Sequence, residues 1–428
     1  MKSSKIKTKC SYIIMGLGQF LYGQRIKGLL YMAILALYLW YLFTAGISDM
    51  AGFFTLGTVE GDPWLGIKGD DSIIMMLRGI LSFMIFIAVI IFYLSNLKDI
   101  KNTEKLVEQG RPVPGFYRSL ISFVDRKFYV VALFLPVVGV AIFNVLPIIF
   151  MILIAFTNYG GDIIPPKLVD WIGLGNFKQI LSLSGIKDTF VKILGWNITW
   201  AVCATALNYF GGLFLALLLN KNCVKGKTFW RAFPIIAYAV PGFITLLGFK
   251  FMFSYGGPIN YYIKMFGGNS IGFLDIDAGW MARIIGLLVN AWISIPTSML
   301  LATGILSNMN KELYEAASLD GAGRWKMFTK LTLPFVVFST TPTLITSFVG
   351  NFNNFGVFYF LRGGMYLDDY FLASDTDLLI NWLYNLSIDN NYYGIGAAVS
   401  LIIFIITSVI SLTAYVNSSA FKKEDTFR

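Results

Sequence analysis

The 428-residue sequence contains no histidine. That removes the commonest general base, proton shuttle and metal ligand from the chain's chemistry. Cysteine is scarce: Cys10, Cys203 and Cys223 are the only three. Their spacing is not that of a metal site, and their positions in or beside apolar segments lead us to expect free thiols without a disulfide. Charged residues make up only 14% of the chain, and acids (24) are fewer than Lys and Arg (34). The acids cluster in polar loops, so no nucleophile–base or metal constellation stands inside the apolar segments, which argues against a membrane-embedded enzyme. Intramembrane carboxylates, the usual equipment of a proton-coupled secondary transporter, are almost missing too. Lys192 and Lys250 fall near segment ends, where snorkelling accounts for them.

What the chain has instead is apolar length. Hydrophobic residues make up 56% of it and mean hydropathy is +0.67. Apolar runs of about 18 residues or more recur, each long enough to cross a hydrocarbon core roughly 30 Å thick. The alternation of a membrane β-barrel is absent, so the expected fold is an all-α polytopic membrane protein. Eight spans are expected, over 28–47, 73–95, 129–156, 190–219, 233–255, 283–306, 334–358 and 392–416. Residues 96–127, with the Pro112–Pro114 step, read as a surface helix and linker.

Charge orients the spans. Lys2, Lys5, Lys7, Lys9, Arg25 and Lys27 precede or open the first one without an acid among them. Basic residues also dominate 96–127 and 220–232, whereas Asp49, Glu60, Asp62, Asp70 and Asp71, and later Asp368, Asp369, Asp375, Asp377 and Asp389, fill alternate loops. By the positive-inside rule both termini are expected in the cytoplasm. The same rule explains the net charge of +10 without nucleic acid. Gln19, Gln24, Arg25 and Lys27 interrupt the first apolar stretch and argue against a cleavable signal peptide. The segment Gly16–Gln19 is expected to lie on the membrane surface.

One cytoplasmic loop, 307–333, is unusual. Asn310 is a candidate N-cap, Glu312 favours the helix dipole in the first turn, and a helix is expected to about Asp320. Gly321 can take the left-handed conformation that ends it. A second short helix is expected from about Arg324 towards Leu333, with Pro334 opening the next span. Glu315 is placed to meet a basic partner, and Ala316 and Ala317 leave room for another backbone. On spacing alone a plain connecting loop fits equally well.

Glu315-Ala316-Ala317, Gly321 and Leu333-Pro334 resemble the EAA motif of binding-protein-dependent ABC importer permeases, with Leu331 where isoleucine is usual. Asp320-Gly321-Ala322-Gly323, Asn351-Phe352-Asn353-Asn354-Phe355, Asp375-Thr376-Asp377-Leu378-Leu379 and Tyr393-Gly394-Ile395-Gly396-Ala397-Ala398 are similar to the MalF-type permease subunit of maltose and maltodextrin importers. The resemblance covers 129–416 and implies a type I importer core of six helices behind two N-terminal ones. The implied divisions are 1–127 (N-terminal spans and linker), 128–417 (permease core) and 418–428 (tail). The short 157–189 connection lacks the large extracytoplasmic domain of some relatives and resembles forms served by a tethered lipoprotein. The resemblance implies a sugar-binding protein outside, a second, MalG-like permease, and two MalK-like ATPases inside. Glu315, Ala316, Ala317, Asp320, Gly321, Leu333 and Pro334 would then couple the chain to an ATPase. ATP and magnesium would bind the partners, with no cofactor on this chain. Consistently, Lys225-Gly226-Lys227-Thr228 is no Walker A motif, because Lys221 stands where that motif needs glycine.

Amides in hydrocarbon are costly unless paired or wetted, so Asn351, Asn353 and Asn354 should face the bundle interior or a water-filled cavity. Asn351 and Asn354, three apart, share a helix face, and Ser347 lies a turn earlier. The resemblance implies that this face contacts sugar; interhelical hydrogen bonding is the alternative. Trp292-Ile293-Ser294-Ile295-Pro296-Thr297 aligns with a second substrate-lining stretch, where the family often has glycine and tyrosine in place of Ser294 and Thr297. The expected cargo is a maltodextrin, with a raffinose-like sugar or another α-glucoside as the alternative. The expected location is a bacterial cell membrane, within its lipid.

Overall fold

The computed structural model describes residues 2–418, except 63 and 222. Most of the expected tail, 418–428, therefore lies outside the described residues. Among those residues seven helices are long and apolar enough to cross a membrane, or eight when one sharply bent pair counts as a single crossing. The β-pairings are three isolated bridges. The polytopic all-α fold is as expected. The chain divides into two compact units, Met1–Gly173 and Leu174–Arg428.

In the first unit, α1 (Lys2–Ile13) and α2 (Leu17–Leu21) lead into α3, the apolar run Arg25–Thr55. Gly16 joins α1 to α2 with φ +91°, and a Cβ there would collide with the Gly28 carbonyl. The Gly16–Gln19 segment packs into the unit: the Gln19 amide is fully buried and meets Ser11 and Asp99. The second long helix, α4, runs Ser72–Glu108, well beyond the expected end at 95. Asp71 starts it, its carboxylate accepting from the Ile73 and Ile74 N–H groups. Lys27–Asp99 (2.7 Å), Tyr31–Phe92 and Tyr41–Ser82 (2.6 Å) set α3 and α4 antiparallel. A separate amphipathic helix, α5 (Phe116–Arg126), precedes α6, the span Phe128–Ile154.

The second unit begins with the short α7 (Gly175–Ser182) and α8 (Ser184–Asn220). The expected span 233–255 is instead two helices, α9 (Lys227–Ala239) and α10 (Gly242–Met252), bent by 91°. The cause is local. Pro241 has no N–H and biases Val240 away from helical ψ; Val240 sits extended at ψ 130°. After α11 (Pro258–Met265) come α12 (Gly279–Ser307) and α13 (Lys311–Leu319). The expected second short helix does not stop before Pro334. It starts at α14 (Arg324–Met327), passes through a π turn at Phe328–Thr332 and continues as α15 (Leu333–Phe352). The π turn Ala141–Val145 of α6 stands in the same relation to Pro147. In each case the carbonyl four residues before the proline, on Phe143 or Lys330, is the middle residue of the π turn. Widening the helix there accommodates the missing N–H and the ring. Short α16 (Gly356–Arg362) and α17 (Leu379–Tyr384) precede the last span, α18 (Tyr393–Val416).

Two apolar clusters hold this unit. Trp196 and Trp200 of α8 pack on Phe358, with Trp200 and Phe358 edge to face at 4.9 Å, against Ile285 and Val289 of α12. Tyr209, Leu213, Met299 and Val336 form the other.

Candidate functional site

The NFNNF string breaks the helix inside the apolar run Arg324–Arg362. α15 ends at Phe352, and α16 starts four residues later, at Gly356. An exposed break in hydrocarbon would leave carbonyls unpaired. Here α8 supplies the partners: Trp200 Nε1 donates to the Asn351 carbonyl (3.0 Å) and Asn197 Nδ2 to that of Phe352 (3.1 Å). Asn381 Nδ2 donates to the Phe355 carbonyl (2.8 Å). The break changes the expected geometry, because Asn351 and Asn354 no longer share the face of one continuous helix. Asn354 Oδ1 instead accepts from the Val357 N–H (3.1 Å), capping α16, and its Nδ2 donates to Asn290 Oδ1 (3.3 Å). Asn353 is exposed and donates to the Val349 carbonyl.

Asn351 faces a cavity of about 320 Å³ between α8, α12 and α15. The structure brings Ser294, Thr297, Ser347 and Asn351 together in its lining and leaves Asn354 outside it. Asn351 is buried; its Nδ2 donates to Thr205 Oγ1 (2.9 Å) and its Oδ1 accepts from Asn290 Nδ2 (3.4 Å). Both expectations for this amide, interhelical bonding and a place at a cavity, therefore describe the same side chain.

Sequence reasoning missed Thr205, Asn208, Tyr209 and Thr340, which also line the cavity. The signal was there: Thr205 and Asn208, three apart in an apolar helix, are polar groups that hydrocarbon disfavours. Tyr209 and Thr340 pair hydroxyl to hydroxyl at 2.8 Å. Asn208 is 6% exposed, and its Oδ1 has no hydrogen-bond partner. The lining carries hydroxyls, amides and aromatic edges, and every described side chain in it is uncharged. Such a surface recognises a neutral polyhydroxylated molecule and offers nothing to neutralise an ion. No group of three or more Cys, Asp or Glu that could hold a metal ion occurs among the described residues.

The loop after α12 folds as a capped helix and a tight exit. Asn310 Oδ1 accepts from the Glu312 N–H (2.9 Å) and starts α13. Gly321, at φ +73°, ends it: the Ala322 N–H bonds the Ala317 carbonyl (2.9 Å) and the Gly321 N–H that of Ser318 (3.1 Å). The Tyr314 hydroxyl meets Thr332 Oγ1 at 2.8 Å, tying α13 to the π turn below α15. Glu315, Ala316 and Asp320 are exposed, as are Leu319 (89%) and Trp325 (75%); Leu333 is half-buried and Pro334 exposed.

Beyond the helix break, the loop before α17 centres on Arg362, which is 1% exposed. Its guanidinium bridges Asp375 (2.9 Å), Thr376 Oγ1 and the carbonyls of Asp275 and Ile276. Arg283 lies over the rings of Trp196 and Trp280 and donates to the Asp375 carbonyl. Asp377 is buried beside them, accepting from the Ser374 N–H and from Asn385 Nδ2. Burial pushes its carboxyl up to about 6, against the opposing pull of those hydrogen bonds and of Arg362.

A multi-helix membrane unit with a neutral polar cavity among its helices and a capped, solvent-facing loop between two spans is the build of a transport permease. Residues 209–422 match the family described as the binding-protein-dependent transport system inner membrane component. The chain is 34% identical to the maltodextrin transport system permease protein MalC of Streptococcus pneumoniae, covering 99% of this chain and 98% of that one. It is 32% identical to the galactooligosaccharides transport system permease protein GanP of Bacillus subtilis, covering 96% and 97%. A bacterial ABC transporter for import of the acidic polysaccharide alginate shares the fold, with TM-score 0.56, 22% identity, and coverage of 69% of this chain and 97% of that one. The chain belongs to the family of binding-protein-dependent transport system inner membrane components, and it is a multi-pass permease subunit of an importer.

Proposed function

We propose that this permease carries maltodextrins inward. The observation that supports the reading best is the uncharged cavity of hydroxyls and amides formed by Ser294, Thr297, Ser347, Asn351 and Asn208. Its volume, about 320 Å³, suits part of an oligosaccharide. Similarity along the whole chain to a maltodextrin permease supports the same cargo. Nearly equal similarity to a galacto-oligosaccharide permease favours one second reading, a different neutral oligosaccharide in the same cavity.

In this reading the chain works beside a second, MalG-like permease and two MalK-like ATPases that bind ATP and magnesium, while a tethered lipoprotein delivers the sugar. Both termini and α13 face the cytoplasm, in keeping with the basic segments at 2–27 and 96–127. Glu315, Ala316 and Ala317 on α13 dock into an ATPase, and the Gly321 turn fixes their angle. ATP-driven closure moves α13, and the Tyr314–Thr332 bond passes that movement to the base of α15. α15 also carries Ser347 and Asn351 at the cavity, so one helix joins the two ends of the cycle. Each nucleotide state then favours one access state of the cavity.

The test is uptake of labelled maltotriose by cells lacking the gene, with and without its restoration, and with unlabelled galacto-oligosaccharides as competitors. Restored uptake that maltodextrins block supports the assignment. Uptake indifferent to the gene refutes the sugar and turns attention to Ser294 and Thr297.

A further inference from the structure

The amides around the helix break form one directed chain of hydrogen bonds. The Val357 N–H donates to Asn354 Oδ1 (3.1 Å), Asn354 Nδ2 to Asn290 Oδ1 (3.3 Å), Asn290 Nδ2 to Asn351 Oδ1 (3.4 Å) and Asn351 Nδ2 to Thr205 Oγ1 (2.9 Å). Every donor points the same way, from α16 by way of α12 and α15 to α8. In such a chain each bond polarises the next. The last member, Thr205, lies in the cavity wall. Its oxygen accepts from Asn351, and its own proton remains to be given. Three residues on, about 5–6 Å away between Cβ atoms, Asn208 holds the complementary group: Oδ1 is buried without a hydrogen-bond partner.

An amide of α8 that serves the fold looks different. Asn197 is fully buried and paired at both ends, donating to the Phe352 carbonyl (3.1 Å) and accepting from the Leu379 N–H (2.9 Å). Asn208 departs from the rule that buried polar atoms find partners, and it does so where α8 borders the cavity. Gly212, one turn further, holds α8 close to α12; a Cβ there would collide with Ser298 and the Met299 nitrogen. We infer that a single sugar hydroxyl bridges Thr205 and Asn208, accepting from the first and donating to the second. The soft χ2 of asparagine lets Oδ1 turn to meet it. A ring or glycosidic oxygen accepts but cannot donate, so it would leave Asn208 unpaired. α8 thus selects for a hydroxyl at one ring position. This rests on the cavity being the sugar site.

The experiment is inhibition of maltotriose uptake by methyl maltosides that each lack one hydroxyl, in proteoliposomes holding the complete transporter. Wild-type uptake tests the cargo; if galacto-oligosaccharides are carried instead, their deoxy analogues are scanned, and only differences between variant and wild type bear on the inference. With the wild type, one analogue should compete about five- to a hundredfold less well than its parent, two neutral hydrogen bonds being lost. Thr205→Val and Asn208→Leu should each relieve most of that handicap at the same ring position, and Thr205→Ser should restore it. Unfolding temperature without sugar is measured alongside. Handicaps unchanged in both variants, relief at two different ring positions, or equal weakening of every analogue with a fall in unfolding temperature would each overturn the inference.

Discussion

Asn208 separates a residue that serves the cargo from one that serves the fold. Its amide is buried at the cavity between α8, α12 and α15, and Oδ1 has no hydrogen-bond partner. Leucine has the same branching at Cγ, a larger volume that the adjoining cavity can take, and no polar atoms. If Oδ1 waits for a sugar hydroxyl, Asn208→Leu removes an unpaired buried carbonyl and relieves a desolvation cost of about 1–3 kcal/mol. Thermal stability of the empty transporter should then hold or rise. The sugar loses one neutral hydrogen bond, worth about 0.5–1.5 kcal/mol, so KM should rise about two- to twelvefold. The assay is paired: unfolding temperature of purified transporter without sugar, and maltotriose uptake in proteoliposomes over a range of concentrations. A fall in unfolding temperature with KM unchanged would refute the reasoning and make Asn208 a packing residue.

The remaining predictions concern the Arg362 cluster and the loop. Asp377 has a folded pKa of about 6 against an ordinary 3.8, so the folded state holds the extra proton between those values. The group's contribution to stability is greatest below about pH 4 and declines as pH rises to about 6, by roughly 3 kcal/mol in all. Asp377→Asn should therefore raise the unfolding temperature at pH 7.5 and flatten its dependence on pH; a steeper dependence would contradict the burial argument. Arg362→Met strands Asp375 and two backbone carbonyls, and should cost about 3–5 kcal/mol, seen as poor recovery of assembled transporter in detergent. Arg362→Lys should not rescue it, since an ammonium cannot reproduce the guanidinium fork. Gly321→Val forces a branched residue to φ +73°, at about 1–2 kcal/mol, and Glu315→Lys reverses an exposed charge on α13. Both should lower uptake per ATP hydrolysed while the protein still inserts; unchanged coupling in both would remove α13 from the mechanism.

The sequence by itself determined the class. Runs of apolar residues long enough to span a bilayer must become helices, because hydrocarbon satisfies no backbone group, and no fold-specific contact is needed to see it. Local chemistry also wrote the start and stop of α13, since Asn310 and Gly321 act on backbone groups within a few residues of themselves. Asn351 was legible as a polar intruder in an apolar helix, and Ser294, Thr297 and Ser347 through the family resemblance. Their meeting at one cavity was not legible, because it depends on how α8, α12 and α15 pack. The break after Phe352 shows why. NFNNF looks helical by its place in an apolar run, and the helix stops there only because Trp200 and Asn197, about 150 residues earlier in the chain, take up the carbonyls it releases. That same break took Asn354 off the cavity wall and made it a cap for α16. Asn208 stayed hidden because an unpaired carbonyl can be recognised only once every possible partner has been placed. Composition sets which segments enter the membrane; the pairing of polar groups across distant helices decides where the cavity lies and which side chains line it.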